Sequence, residues 1–157
     1  MKTWLFLLLS SLSGVLTYSQ DNQDISTIEF IYSNGYLNTD IKVYQDGKLK
    51  TDVTSSDTIF SIGKFSYGHD FRVVFKRKKH VTKIVEIYTK GIQSVMEKKT
   101  EIDMSPDLEP KNLFRSQKPF KVPVAKVRID ESGYLNYDIE YIKSRKEAIN
   151  KYRKKRR

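Results

Sequence analysis

Through most of this 157-residue chain, apolar and polar side chains alternate with a period of two, the period of a half-buried strand. Ile25 to Tyr32 gives the first such run, closed by Ser33-Asn34-Gly35. In Asp40 to Gln45, Ile41, Val43 and Gln45 share one side while Lys42 and Tyr44 take the other. Asp46-Gly47 follows, and Lys48 to Thr54 returns. Asp-Gly between two strand-like runs predicts a type I′ hairpin, because that turn needs positive φ at both central residues. Further strands are expected at Thr58 to Ile62, Phe71 to Lys76, Val81 to Tyr88, Glu97 to Met104 and Val122 to Ile129. Val81, Lys83, Val85 and Ile87 share a face, and Pro123 marks a sheet edge or a strand start. Turns fall at Ser66 to His69 and Glu131 to Gly133, and Arg77-Lys78-Lys79-His80 is a basic loop between strands. From 105 to 120 the alternation is lost. Pro106, Pro110 and Pro119 stand among polar residues, with Leu108, Leu113 and Phe114 as anchors, which predicts an extended connection clipped to the body.

From Asp138 the period becomes helical. Tyr141, Ile142, Arg145, Ala148, Ile149 and Tyr152 fall on one stripe, with Asp138 as N-cap and Glu140 in the first turn. This helix is expected to dock by its first two turns, to carry basic residues in its last turn where the dipole favours them, and to fray at Lys154. Gly133 to Ile139 repeats Gly35 to Ile41 at every position but one, and reads as one turn-then-aromatic solution used twice. The resulting expectation is a mainly β protein: a small antiparallel β-sandwich of about seven strands, followed by an amphipathic basic helix.

The amino terminus follows another rule. Met1-Lys2-Thr3 is positive, Trp4 to Leu16 is apolar though diluted by serines, and Thr17-Tyr18-Ser19 ends small before a polar stretch. That is the order of a secretory signal peptide cleaved after Ser19. The run is too short and too polar for a spanning helix of about 20 apolar residues. The organisation is then a signal peptide at 1–19, a sandwich over 20–137, and a basic helix and tail over 138–157.

Charge sharpens this picture. Residues 143–157 hold nine Lys or Arg and one acid, a net +8, while 20–142 sum to only +1. In the cytosol such a tail would point to nucleic acid. Behind a signal peptide it points to an acidic envelope protein or to an anionic cell-wall or lipid surface. The candidate anion- or partner-binding residues are Arg77, Lys78 and Lys79 in the loop and Arg145, Lys146, Lys151, Arg153, Lys154, Lys155, Arg156 and Arg157 in the tail. The bland alternative is that these cations only keep the chain soluble.

Candidate chemistry is sparse. The chain has no cysteine, which removes thiol catalysis and thiolate metal sites. His69 and His80 are the only imidazoles, expected at opposite ends of one strand, and Asp70 beside His69 in sequence does not make a triad. No metalloprotease, nucleophile-elbow or phosphate-loop pattern occurs. The acids Glu101, Asp103, Asp107 and Glu109 lack the spacing of a calcium loop. No catalytic residue, metal or cofactor is expected. A carbohydrate- or peptidoglycan-binding module using exposed tyrosines is the alternative reading.

Several segments carry a family resemblance. Ile41-Lys42-Val43-Tyr44-Gln45-Asp46-Gly47-Lys48, then Thr58 to Ile62, Asp70 to Lys76 and Val81 to Ile87 resemble, in order, the carboxypeptidase-regulatory-like or prealbumin-like sandwich domains of exported Bacteroidetes-type envelope proteins. Val122 to Val127 and Asn136 to Tyr141 resemble a segment that follows such domains. The chain departs from the family in lacking a glycine near Asp57 and a Gly-Tyr after Lys78. The resemblance implies an exported accessory or interaction domain and no catalysis. It also marks Thr58, in Asp57-Thr58-Ile59, as a candidate for O-glycosylation.

Overall fold

The computed structural model describes residues 27–33, 36–92 and 99–154. The expected signal peptide at 1–19 and the last three basic residues, Lys155, Arg156 and Arg157, lie outside the described residues. Among the described residues nine strands are present: β1 (Thr27–Ser33), β2 (Asp40–Gln45), β3 (Lys48–Thr54), β4 (Ile59–Ser66), β5 (Asp70–Lys76), β6 (Lys83–Tyr88), β7 (Lys99–Met104), β8 (Ala125–Ile129) and β9 (Leu135–Tyr137), followed by helix α1 (Ile139–Asn150). The described residues make a mainly β fold, with two facing sheets and one α-helix after the last strand. A three-stranded sheet has the order β4-β1-β7, and a six-stranded sheet the order β3-β2-β5-β6-β8-β9. Among the described residues no helix is long and apolar enough to cross a membrane.

The hairpin forms where Asp46-Gly47 places it, with φ of +48° and +80° at the two turn residues. β4 runs on past Ile62 to Ser66, and its pairing with β1 skips Ile62, since Phe30 faces Gly63 and Ile31 faces Ser61. The skip keeps both Ile62 and Phe65 inside.

Two departures concern pairing. β1 and β7 are parallel, as are β6 and β8, so the sandwich is not purely antiparallel. Parallel neighbours need a long crossover, and here strands of the opposite sheet supply it. The second departure is β9, a strand of three residues, too short for its alternation to be read. β8 also begins at Ala125 rather than Val122, and it lies inside the sheet. The Pro123 carbonyl is taken by the helix instead of the ladder, accepting from Tyr141 Oη at 2.8 Å and Arg145 Nε at 3.1 Å.

The main core lies between the sheets. Ile28, Phe30, Tyr32, Ile102 and Met104 from one sheet meet Ile41, Val43, Phe71, Val73, Phe75, Ile87 and Val127 from the other. Phe30 and Phe71 meet edge to face across the interface, with ring centroids 5.3 Å apart. The Tyr32 hydroxyl, buried with its ring, donates to the Tyr36 carbonyl at 3.1 Å.

A second, smaller core of Val81, Phe114, Phe120 and Ile149 fixes the connection and the helix. Leu108 and Phe114 act as the expected anchors of the 105–120 segment, but Leu113 is exposed. That segment contains two short 3-10 turns, Lys111–Leu113 and Lys118–Lys121.

Helix α1 starts as read, with Asp138 Oδ1 accepting from the Tyr141 N–H at 2.9 Å. Its end differs. The deepest residue is Ile149, in the last turn, whose burial contributes about 2 kcal/mol. No basic residue stands in that turn, and Tyr152 is exposed. The chain after the helix does not fray at Lys154. The Arg115 N–H donates to the Tyr152 carbonyl at 2.8 Å, and the Lys154 N–H to the Leu113 carbonyl at 2.9 Å. The two copies of the repeated heptad also part company. Leu37 and Asn38 lie in a bend, Asn38 at φ +57°, whereas Leu135 and Asn136 form β9.

Candidate binding surface at the basic end

Residues 109–115 act as a seam at one end of the sandwich. On one side they hold the β5–β6 loop: the Val81 N–H donates to the Glu109 carbonyl and the Lys111 N–H to the Lys79 carbonyl, both at 2.9 Å. On the other side they hold residues 152–154 through the Arg115 and Lys154 N–H groups described above. Lys78 and Lys79 of the loop and Lys151, Arg153 and Lys154 of the tail, more than 70 residues apart in sequence, therefore share one end of the molecule. Lys111 and Arg115, both exposed, lie between them. These two were not singled out in the sequence. Only the backbone pairing puts them there, and pairing of irregular segments leaves no periodic signal.

The individual cations do different things. Lys78, Lys79, Lys111, Lys151 and Lys154 are exposed, and among the described residues no acid pairs with any of them. Lys79 is at φ +63°, a left-handed residue at the tip of the loop. Arg77 instead lies over the Tyr36 ring, 4.9 Å from its centroid. Arg145 is spent on structure, donating to the carbonyls of Pro119 and Pro123. Arg153 pairs with Glu109 and lies 5.0 Å from the centre of the Phe114 ring. Lys146 lines a pocket of about 250 Å³ with Lys83, Asp107, Glu109 and Arg153.

Lys83 is a charge on the inner face of its strand, as the alternation placed it. Its ammonium lies 3.7 Å from Glu109 and 5.5 Å from the centre of the Phe120 ring. Burial pushes its pKa down, and the Glu109 carboxylate opposes that shift.

Of the remaining candidates, His80 belongs to this end, where it bridges to Pro110 of the seam, and His69 stands apart from it. His69 and His80 flank β5, a strand of seven residues and so about 20 Å long. They cannot act on one substrate group together. His69 Nδ1 is 2.6 Å from Asp46 Oδ2, and the Asp70 N–H donates to Asp46 Oδ1 at 3.1 Å. The Asp70 backbone first, and His69 second, hold the Asp46 carboxyl below its usual range. His80 Nδ1 is 2.8 Å from the Lys78 carbonyl. Asp103 accepts from Ser33, and among the described residues no three acidic or imidazole groups come together as a metal site. Thr58 is exposed in the bend between β3 and β4. No protein-family model, curated protein or solved structure matches this chain.

Proposed function

We propose that this protein is an exported, non-catalytic interaction domain of the bacterial cell envelope. Through its basic end it holds an acidic envelope protein or an anionic cell-wall or lipid surface. The observation that carries the reading is the seam at 109–115, which gathers Lys78, Lys79, Lys111, Lys151 and Lys154 at one end without acidic partners among the described residues. An end with that balance attracts anions over roughly a Debye length. Export rests on the signal-peptide pattern of residues 1–19. The carboxypeptidase-regulatory-like assignment rests on segments that fall in order on β2, β4, β5, β6 and β8.

The test is co-sedimentation with isolated envelope and with vesicles containing phosphatidylglycerol. A lysine near an anionic surface contributes about 1 kcal/mol. Lys79→Ala, Lys111→Ala and Lys154→Ala combined therefore weaken binding by roughly 100-fold, and the parent's binding falls steeply with salt. Binding that neither salt nor the triple variant changes would sink the proposal.

A further inference from the structure

The outer face of the six-stranded sheet carries two aligned rows of side chains. Strand register sets Tyr44 opposite Arg72, Arg72 opposite Glu86, and Glu86 opposite Lys126. Two residues along, Asp70, Tyr88, Arg128 and Asn136 line up in the same way across β5, β6, β8 and β9. Their sequence neighbours Val43, Phe71, Val73, Ile87 and Val127 are buried between the sheets, so the period of two sends both rows outward. Two adjoining depressions of about 730 and 470 Å³ run over the rows and share Tyr88. Together they cross from β2 to β9, a distance of about 19 Å at the usual strand spacing.

The chemistry of this trough differs from that of the basic end. Arg72, Lys90, Lys126 and Arg128 are matched in number by Asp46, Asp70, Glu86 and Asp138. Neither a polyanion nor a polycation gains from an even balance. The polar groups are set in advance: Glu86 accepts from the Tyr88 hydroxyl at 2.7 Å and lies 4.0 Å from Arg72. Asp70 Oδ1 is buried without a hydrogen-bond partner among the described residues, and its Oδ2 lies 3.9 Å from the Lys90 ammonium. Val74 and Ile84 make a small apolar floor. Planar polar side chains beside tyrosine rings suit a ligand with an apolar ring face and a rim of paired hydroxyls. A peptide strand would need a sheet edge to pair with. This trough crosses strands whose main-chain groups are already used in the ladders.

We propose that the outer face of the six-stranded sheet is a binding trough for an uncharged oligosaccharide. Tyr44 and Tyr88 supply ring faces, and Arg72, Glu86, Arg128 and Asn136 take sugar hydroxyls. The full chain is titrated by calorimetry with chitohexaose, cellohexaose, laminarihexaose and maltohexaose. At least one saturates with a Kd of about 1 mM or tighter. Tyr44→Ala and Arg128→Ala each weaken it by about tenfold, with circular dichroism unchanged, while Tyr44→Phe keeps the affinity. Lysine-to-alanine changes at 79, 111 and 154 leave the sugar affinity as it was, so this site and the basic end fail or stand separately. The proposal is overturned if none of the four sugars saturates, if Tyr44→Ala and Arg128→Ala bind like the parent, or if a hexaglutamate peptide displaces the sugar.

Discussion

At the scale of single residues, the Tyr88 phenol is held well above its ordinary range. Burial first, and then its hydrogen bond to Glu86, push the phenol up to about 12. The folded state thus prefers the neutral phenol more than the unfolded chain does. That contribution is whole below the ordinary value of about 10 and is lost as pH rises through the folded value. In an alkaline titration followed by phenolate absorbance, Tyr88 should give a late step in the parent, beside a delay at Tyr141, which burial also raises. Tyr88→Phe should abolish that step, and Glu86→Gln should move it down only in part, because burial remains. Other residues of this kind were legible in the sequence. Asp46-Gly47 needed only its own backbone preference, and Asp138 only a free N–H three residues on. Lys83 was legible as to face but not as to cause. Its partner Glu109 lies 26 residues away, in a segment whose path no periodicity describes.

At the scale of elements, the 109–115 seam makes a sharp prediction. Glu109, with its side chain 16% exposed, stands between Lys83 and Arg153. Glu109→Gln leaves the Lys83 ammonium largely buried without its counter-charge. The expected loss is about 2 kcal/mol in urea unfolding, below the usual cost of breaking a fully buried pair because the Arg153 side is open. Adding Lys83→Met should recover most of it, since no buried charge is then stranded. If the double variant is no more stable than Glu109→Gln, the seam is not held by this charge pair. Strands with strong alternation, such as Asp70 to Lys76, were plain in the sequence. β9 was not, since three residues carry too few positions for a period. The repeated heptad shows the same limit from the other side. Its letters agree almost throughout, yet one copy bends beside Ser55, with the Asn38 N–H donating to the Ser55 carbonyl at 2.9 Å. The other pairs Arg128 with Asn136. The neighbours decided, and the sequence of the segment does not contain its neighbours.

At the scale of the whole molecule, the class of fold was readable because alternation and turn residues recur along the chain. Strand order and the two parallel pairings were not, because the same alternating runs fit many orders. The export reading brings a simple consequence. Trp4 is the only tryptophan, so protein recovered from the envelope should show tyrosine emission alone, with an intact mass short by the first nineteen residues. Tryptophan emission from that fraction would mean that the leader is retained.

The parallel pairing of β1 with β7 bears on how the chain is made. Thr27 lies beside Lys99, 72 residues later. Until residues 99–104 have been synthesised, β1 has β4 on one side and a bare row of backbone donors and acceptors on the other. Such an edge is a template for a strand from any other chain. Closing it means ordering a long loop before any reward, which slows folding. The first of the described strands is therefore among the last to be protected. On the proposed export route, a chain threaded in extended form would need a holder until residues 99–104 arrive.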